Sequence, residues 1–217
     1  SKSNKMRKYL LLIVISIVST QLMCQEESGK LSFTLEVGMP PVLGNESFKG
    51  VVKPIVYLSP YLQRKIKNEF SLGFGFHYTY WQINEFKVPV SEPVKGGIHN
   101  LGIYLKPSYE KYYSDLFGID FGVKIGYSQT YFKTDFNDSL FGKAQMVEGL
   151  HISPTLGFLF KDEEGDAYRF TLGYHLQGFG YNPNRIGVST FSGYDPAKFS
   201  NLLNYLVVGF GYTHYFK

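Results

Sequence analysis

His151-Ile152-Ser153 sets an imidazole and a hydroxyl two residues apart, with Glu163 and Glu164 a short way downstream. Ester hydrolysis by a serine needs its hydroxyl hydrogen-bonded to a histidine, with a third group to orient the base. Residues i and i+2 of a strand share a face, so the pair can meet, but any such pair does. The other titratable residues also fall on alternating positions: Glu36, Lys53, Lys106, Asp120, Lys124 and Arg169, with His77, His151 and His175. If that face is buried, these charges must find one another, because an unpaired buried charge is heavily penalised. A structural ionic cluster is therefore expected in preference to a proton or ion pathway. Asp135, Asp138 and the run Asp162-Glu163-Glu164 read as solvated loop charges. No phosphate loop, His/Glu zinc signature or calcium loop occurs, and the single cysteine excludes a disulfide framework or a cysteine-based zinc site. Neither a cofactor nor a metal is expected from these linear patterns.

The elements that position these residues are strands. Of 217 residues, 44% are hydrophobic, 18% aromatic and 18% charged, which excludes a disordered chain. Period-two alternation dominates. Leu31, Phe33, Leu35, Val37 and Met39 alternate with Ser32, Thr34, Glu36 and Gly38, and Phe70 to Trp81 repeats the pattern most clearly. Further alternating segments run through 100–106, 117–128, 150–160, 168–177 and 206–216, and Val51–Leu62 is irregular because of Pro54 and Pro60. Eight strands result. Short polar turns are expected near 63–68, 110–115 and 161–165, and longer loops near 40–50, 83–98, 134–147 and 178–201. Short turns at one end and long loops at the other are the habit of bacterial transmembrane barrels.

The two faces decide between water and lipid. Gly38, Gly73, Gly75, Gly102, Gly118, Gly122, Gly126, Gly149, Gly157, Gly173, Gly209 and Gly211 all share the polar face. The interior of an eight-stranded barrel is only wide enough for side chains to fill, so the glycine-rich face belongs inside. The large apolar face then looks outward, which lipid tolerates and water does not. A soluble lipocalin-like ligand-binding barrel, apolar inside, is disfavoured on this ground. The reading is an all-β protein, an eight-stranded antiparallel up-and-down transmembrane β-barrel. Tyr57, Tyr61, Tyr78, Tyr80, Tyr109, Tyr127, Tyr168 and Tyr212 are expected at strand ends or on the lipid face, as interfacial girdles.

The N-terminus reads as an export signal: Lys5-Met6-Arg7-Lys8 is basic, Tyr9–Val18 is apolar, and Ser19, Thr20 and Gln21 follow. The apolar run is short for a spanning helix. Lipidation at Cys24 is a rival, but Gln21, Leu22 and Met23 fit a lipobox poorly, so cleavage after Cys24 is expected. Residues 1–24 are then a signal peptide and residues 25–217 the barrel domain. Removing that signal takes Lys2, Lys5, Arg7 and Lys8 and no acidic residue, so 22 basic side chains less four leaves 18 against 18 acidic ones. The formal charge of +4 thus belongs to the signal, and no basic patch for nucleic acid remains.

Leu35-Glu36-Val37-Gly38-Met39-Pro40, Asn100-Leu101-Gly102-Ile103-Tyr104-Leu105-Lys106-Pro107, Phe121–Tyr127 and Val208-Gly209-Phe210-Gly211-Tyr212 resemble segments of the PorT-like small outer-membrane β-barrels of Bacteroidota, and more loosely the OmpA/OmpX-type barrels. The resemblance implies residence in the bacterial outer membrane. The last strand resembles the signal read by the outer-membrane assembly machinery, with Phe216 penultimate and Lys217 last. Some relatives are implicated in type IX secretion and gliding, an activity that a strand pattern does not carry over to this chain. A lipid A esterase among eight-stranded barrels carries His-x-Ser-Asn, and here Pro154 replaces the Asn. The expected role is therefore structural or interactive, with a plugged polar lumen and outer-membrane lipid around it. Envelope or secretion-complex proteins are the expected partners, with Phe179, Tyr181, Phe191 and Tyr194 in the last long loop as candidate contact residues.

Overall fold

A computed structural model describes residues 31–87, 94–178, 181, 183–186 and 202–216. The expected signal peptide, with Cys24, lies outside the described residues. Eight antiparallel strands follow one another in chain order and close into a barrel: β1 (Leu31–Met39), β2 (Val52–Lys67), β3 (Phe70–Ile83), β4 (Gly96–Tyr112), β5 (Phe117–Thr134), β6 (Gln145–Lys161), β7 (Ala167–Gln177) and β8 (Leu203–Tyr215). β1 pairs with β2 on one side and with β8 on the other, from Ser32 opposite Tyr215 to Met39 opposite Val208. Among the described residues the sheet thus closes without an open edge strand.

The side chains are inverted relative to a soluble barrel. Leu35, Phe74, Ile103, Ile125, Ile152 and Phe210 are exposed, whereas Glu36, Lys106, Asp120, Lys124 and Arg169 are each no more than 2% exposed. A continuous apolar exterior around a charged interior is stable only with hydrocarbon outside, so the chain is a transmembrane barrel. Aromatic pairs border the belt at the short-turn end: Phe70 with Tyr109, Phe117 with Phe160, and Tyr168 with Tyr212, at centroid separations of 5.3, 5.5 and 5.5 Å. β4 and β5 reach 17 and 18 residues, well beyond the roughly 9–11 that a tilted strand needs to cross. The excess projects past the belt and carries exposed Lys111 at one end and Lys133 at the other.

Two sequence expectations need correction on β2. Lys53 is exposed and not in the lumen, and Tyr57 and Tyr61 are buried inside and not in a girdle. The cause is a β-bulge: Pro54 pairs with Trp81 and Val56 with Tyr80, leaving Ile55 as an extra residue. One inserted residue reverses the facing of everything on its far side, so Lys53 and Tyr57 share parity but not a face. Near the other end, Glu110 is not in a turn. β4 continues to Tyr112, and Glu110 pairs with Asp120 on β5.

The long-loop end is folded. Helix α1 (Glu46–Val51) is capped by the Asn45 side chain, whose Oδ1 accepts from the Phe48 amide at 3.1 Å. Helix α2 (Asp135–Phe141) starts at Thr134, whose Oγ1 accepts from the Asn137 amide at 3.2 Å. Asn137 Nδ2 donates to the carbonyls of Phe132 and Arg185, each at 2.8 Å, and so ties α2 to the 3-10 turn Pro183–Ile186. Both helices fall where the sequence suggested only loop; six or seven residues are too few for a helical period to be read.

Replacing Ile103, which is 58% exposed at mid-strand, with Arg should destabilise the barrel by about 2–4 kcal/mol. Urea titration in phospholipid vesicles will measure it, and a near-neutral result would speak against lipid at that face.

Candidate functional site

The lumen is layered from the long-loop end to the short-turn end. Its outer layer is apolar. Phe48 from α1 packs edge-on against Trp81 at 5.5 Å and against Tyr181 at 5.1 Å, and Trp81 against Tyr205 at 5.1 Å. Val51, Ile98, Phe132, Ile186 and Leu203 complete this buried cluster. Trp81 sits on the inward face of β3 and satisfies its indole by donating to the Pro40 carbonyl at 3.0 Å. Tyr181, expected to be a surface contact residue, is only 1% exposed. The fully buried ring is a stopper in the barrel mouth, because the mouth offers it aromatic partners and desolvation. Phe179, Phe191 and Tyr194 lie outside the described residues.

Below it is a polar layer. Asn100 Nδ2 donates to Thr130 Oγ1 at 2.6 Å, and Gln177 Nε2 donates to Ser128 Oγ at 2.6 Å and to Thr130 Oγ1 at 3.2 Å. His77, His151 and His175 lie in this layer, from β3, β6 and β7, all buried. His151 and Ser153 share the lumen face as their spacing implies. Neither ring nitrogen of His151 has a hydrogen-bond partner, and Ser153 is buried too. The two therefore form no nucleophile–base pair presented to a substrate.

The charged layer comes next and gathers five of the six residues expected there, Lys53 being the exception. Lys106 Nζ and Arg169 Nη1 both donate to Asp120 Oδ2 at 2.5 Å. Lys124 Nζ donates to Glu36 Oε2 at 2.6 Å, to Ser59 Oγ at 2.9 Å and to the Tyr57 hydroxyl at 3.1 Å. Arg169 links the two carboxylates, lying 3.7 Å from Glu36, and reaches Glu110 at 4.0 Å. Tyr61 bridges them again, accepting from Lys106 at 3.0 Å and donating to Glu36 at 3.4 Å. With Glu110 included, three cations face three anions. Glu110, Tyr57 and Tyr61 escaped the sequence reading because a strand end and a bulge set their facing. Room for the long side chains comes from glycine: a Cβ on Gly122 would lie 2.7 Å from Lys106 Cε.

At the short-turn end, Asp166 clasps the last strand. Its Oδ2 accepts from the Tyr212 hydroxyl at 2.5 Å and lies 2.7 Å from His214 Nδ1, and its Oδ1 accepts from the Tyr215 amide at 3.0 Å. The hydrogen bond from Tyr212, and after it that from His214, hold this turn carboxyl down at about 2. The clasp thus ties the turn before β7 to β8, the strand that closes onto β1.

Solved structures of the same architecture include the outer membrane protein OprG from Pseudomonas aeruginosa, with a TM-score of 0.53 and 12% identity over 86% of this chain and 96% of that one. Neisserial surface protein A has a TM-score of 0.51 and 13% identity over 86% of this chain and 97% of its own. No protein-family model matches the chain, and no curated protein matches it in sequence. At such identities the likeness is one of fold, that of the small eight-stranded outer-membrane barrels.

Asp120→Ala removes the anion shared by Lys106 and Arg169 and should cost about 3–5 kcal/mol, whereas Lys53→Ala should stay within about 0.5 kcal/mol; paired urea titrations of the folded barrel will compare them. The Asp166 contribution should be complete above about pH 4, where the unfolded carboxyl is ionised. It should then fade as pH falls toward about 2, and Asp166→Asn should abolish that part of the acid limb of the stability profile.

Proposed function

We propose that this chain is a non-conducting bacterial outer-membrane barrel with a structural or interaction role, accessory to a secretion or envelope assembly. The supporting observation is the filled lumen: an aromatic stopper, a polar histidine-bearing layer and a three-cation, three-anion network follow one another down an eight-stranded interior. A conducting barrel needs a continuous water-filled path, which porins obtain with 16 or more strands. The same network argues for a scaffold, since every ion in it is held by at least one opposite charge.

Function then falls to the outer surfaces. The belt meets outer-membrane lipid. The long-loop end presents α1, α2 and the 3-10 turns Glu85–Lys87 and Pro183–Ile186, with Leu43 and the almost wholly exposed Phe86 at its surface. Loops on a rigid barrel are where recognition is carried. Membership of the PorT-like group of Bacteroidota is part of this proposal and rests on the strand segments quoted above. The neighbours described as an outer membrane protein and a surface protein fit the same location.

Single-channel recording in planar bilayers should show no stable open state, and a large steady conductance would overturn the plugged-lumen reading. A photo-crosslinking residue at Phe86 should capture envelope protein in cells, while one at Ile103 should capture lipid. Lipid capture alone at Phe86 would remove the accessory role.

A further inference from the structure

We propose that His77, His151 and His175 form a three-imidazole binding site inside the lumen for a late first-row transition-metal ion. One ring nitrogen from each of the three lies within 4.8 Å of the others. The ring centroids make a nearly equilateral triangle, with sides of 4.6, 4.9 and 5.1 Å. Each residue is about 1% exposed, so bulk water does not satisfy the rings. Yet His77 Nδ1 and both nitrogens of His151 and His175 have no hydrogen-bond partner. Leaving a buried polar atom unpaired is costly, and five of the fifteen such side-chain atoms among the described residues meet at this one point, which points to a ligand.

The surroundings are built for imidazole ligation. His77 Nε2 lies 2.7 Å from Asn100 Oδ1. Asn100 is itself oriented by donating through Nδ2 to Thr130, so its oxygen can only accept. His77 therefore carries its proton on Nε2 and keeps an unpartnered Nδ1 lone pair, the second-shell arrangement that orients metal-bound histidines. Two rings stand opposite glycines on the neighbouring strand: His77 faces Gly102 and His151 faces Gly126. A Cβ on Gly126 would lie 2.7 Å from His151 Cε1, and one on Gly102 would press on the His77 ring. The third ring, His175, is stacked on Tyr205 at 4.4 Å, which closes the site toward the apolar stopper.

Ligand type selects the ion. Three imidazoles without a carboxylate or thiolate suit zinc, copper or nickel and not magnesium or calcium. A tetrahedral zinc with nitrogen ligands at ~2.05 Å sets them about 3.3 Å apart, so the three rings close in modestly on binding. The ligands are neutral, and Lys124 occupies the next layer, behind Tyr57 and Tyr104, whose rings lie 6.1 and 6.2 Å from that of His77. The fourth position therefore falls to an anion such as hydroxide or chloride.

The test uses the full barrel folded in detergent with Zn2+ present, then dialysed and analysed for metal content. One Zn2+ per chain should be retained by the wild type and by a His99→Gln, His214→Gln variant, which lacks the two histidines outside the cluster. His151→Ala with His175→Ala should lose it, and Asn100→Ala should bind about 10–100-fold more weakly. X-ray absorption on the wild type should show three imidazole nitrogens at about 2.0–2.1 Å from zinc. If the double-alanine variant does not fold, this spectrum decides alone. A folded wild type that retains no zinc, its rings bridged by trapped water, would overturn the proposal, and so would zinc that depends on His99 or His214.

Discussion

Hydrocarbon offers no hydrogen bonds, so a sheet lying in it must leave no backbone group unpaired. Closure of β1 onto β8 meets that demand, and everything else in the molecule follows from it. Eight strands make a closed cylinder whose interior is the width of packed side chains. The exterior is surrendered to lipid, and the polar residues that alternate with it are forced into that narrow space.

Crowding explains why glycine and long side chains occur together. His77 stands opposite Gly102, His151 opposite Gly126 and Lys106 opposite Gly73, so each large group expands into the space its neighbour leaves. The same crowding makes the lumen's charges interdependent. Glu36, Asp120 and Glu110 each share Arg169, and the carboxylates of Glu36 and Asp120 are also held by a lysine apiece. Replacing such a network with apolar groups would not necessarily weaken a protein, but a one-residue slip of any strand would expose its members to lipid. In a barrel the network thus helps to specify register as well as to fill space.

The layers also differ in what they leave unsatisfied. The ionic layer leaves Asp120 Oδ1 and Arg169 Nε without a partner, while the histidine layer above it leaves five of its six ring nitrogens so. A molecule that gives each buried cation of its charged layer a carboxylate partner, yet leaves three imidazoles facing one another, concentrates its free ligating atoms at that level.

Alternation alone determined the strands, their inward and outward faces and the membrane setting, because facing along a regular strand follows from parity and a glycine-rich face fits only a narrow interior. It also placed Glu36, Lys106, Asp120, Lys124 and Arg169 on the inner face. Parity fails where the backbone departs from regularity. The Ile55 bulge set Lys53 outward and Tyr57 and Tyr61 inward; Pro54 marks the irregularity in the sequence but does not say which residue is the extra one. Which inward residues meet is a matter of register and closure, since partners such as Thr34 and Thr213, bonded at 2.9 Å, lie at opposite ends of the chain. For the same reason only the tertiary structure could bring His77, His151 and His175 to one point: His77 on β3 is far in sequence from His151 and His175 on the paired β6 and β7, and only the closed barrel sets all three at one height.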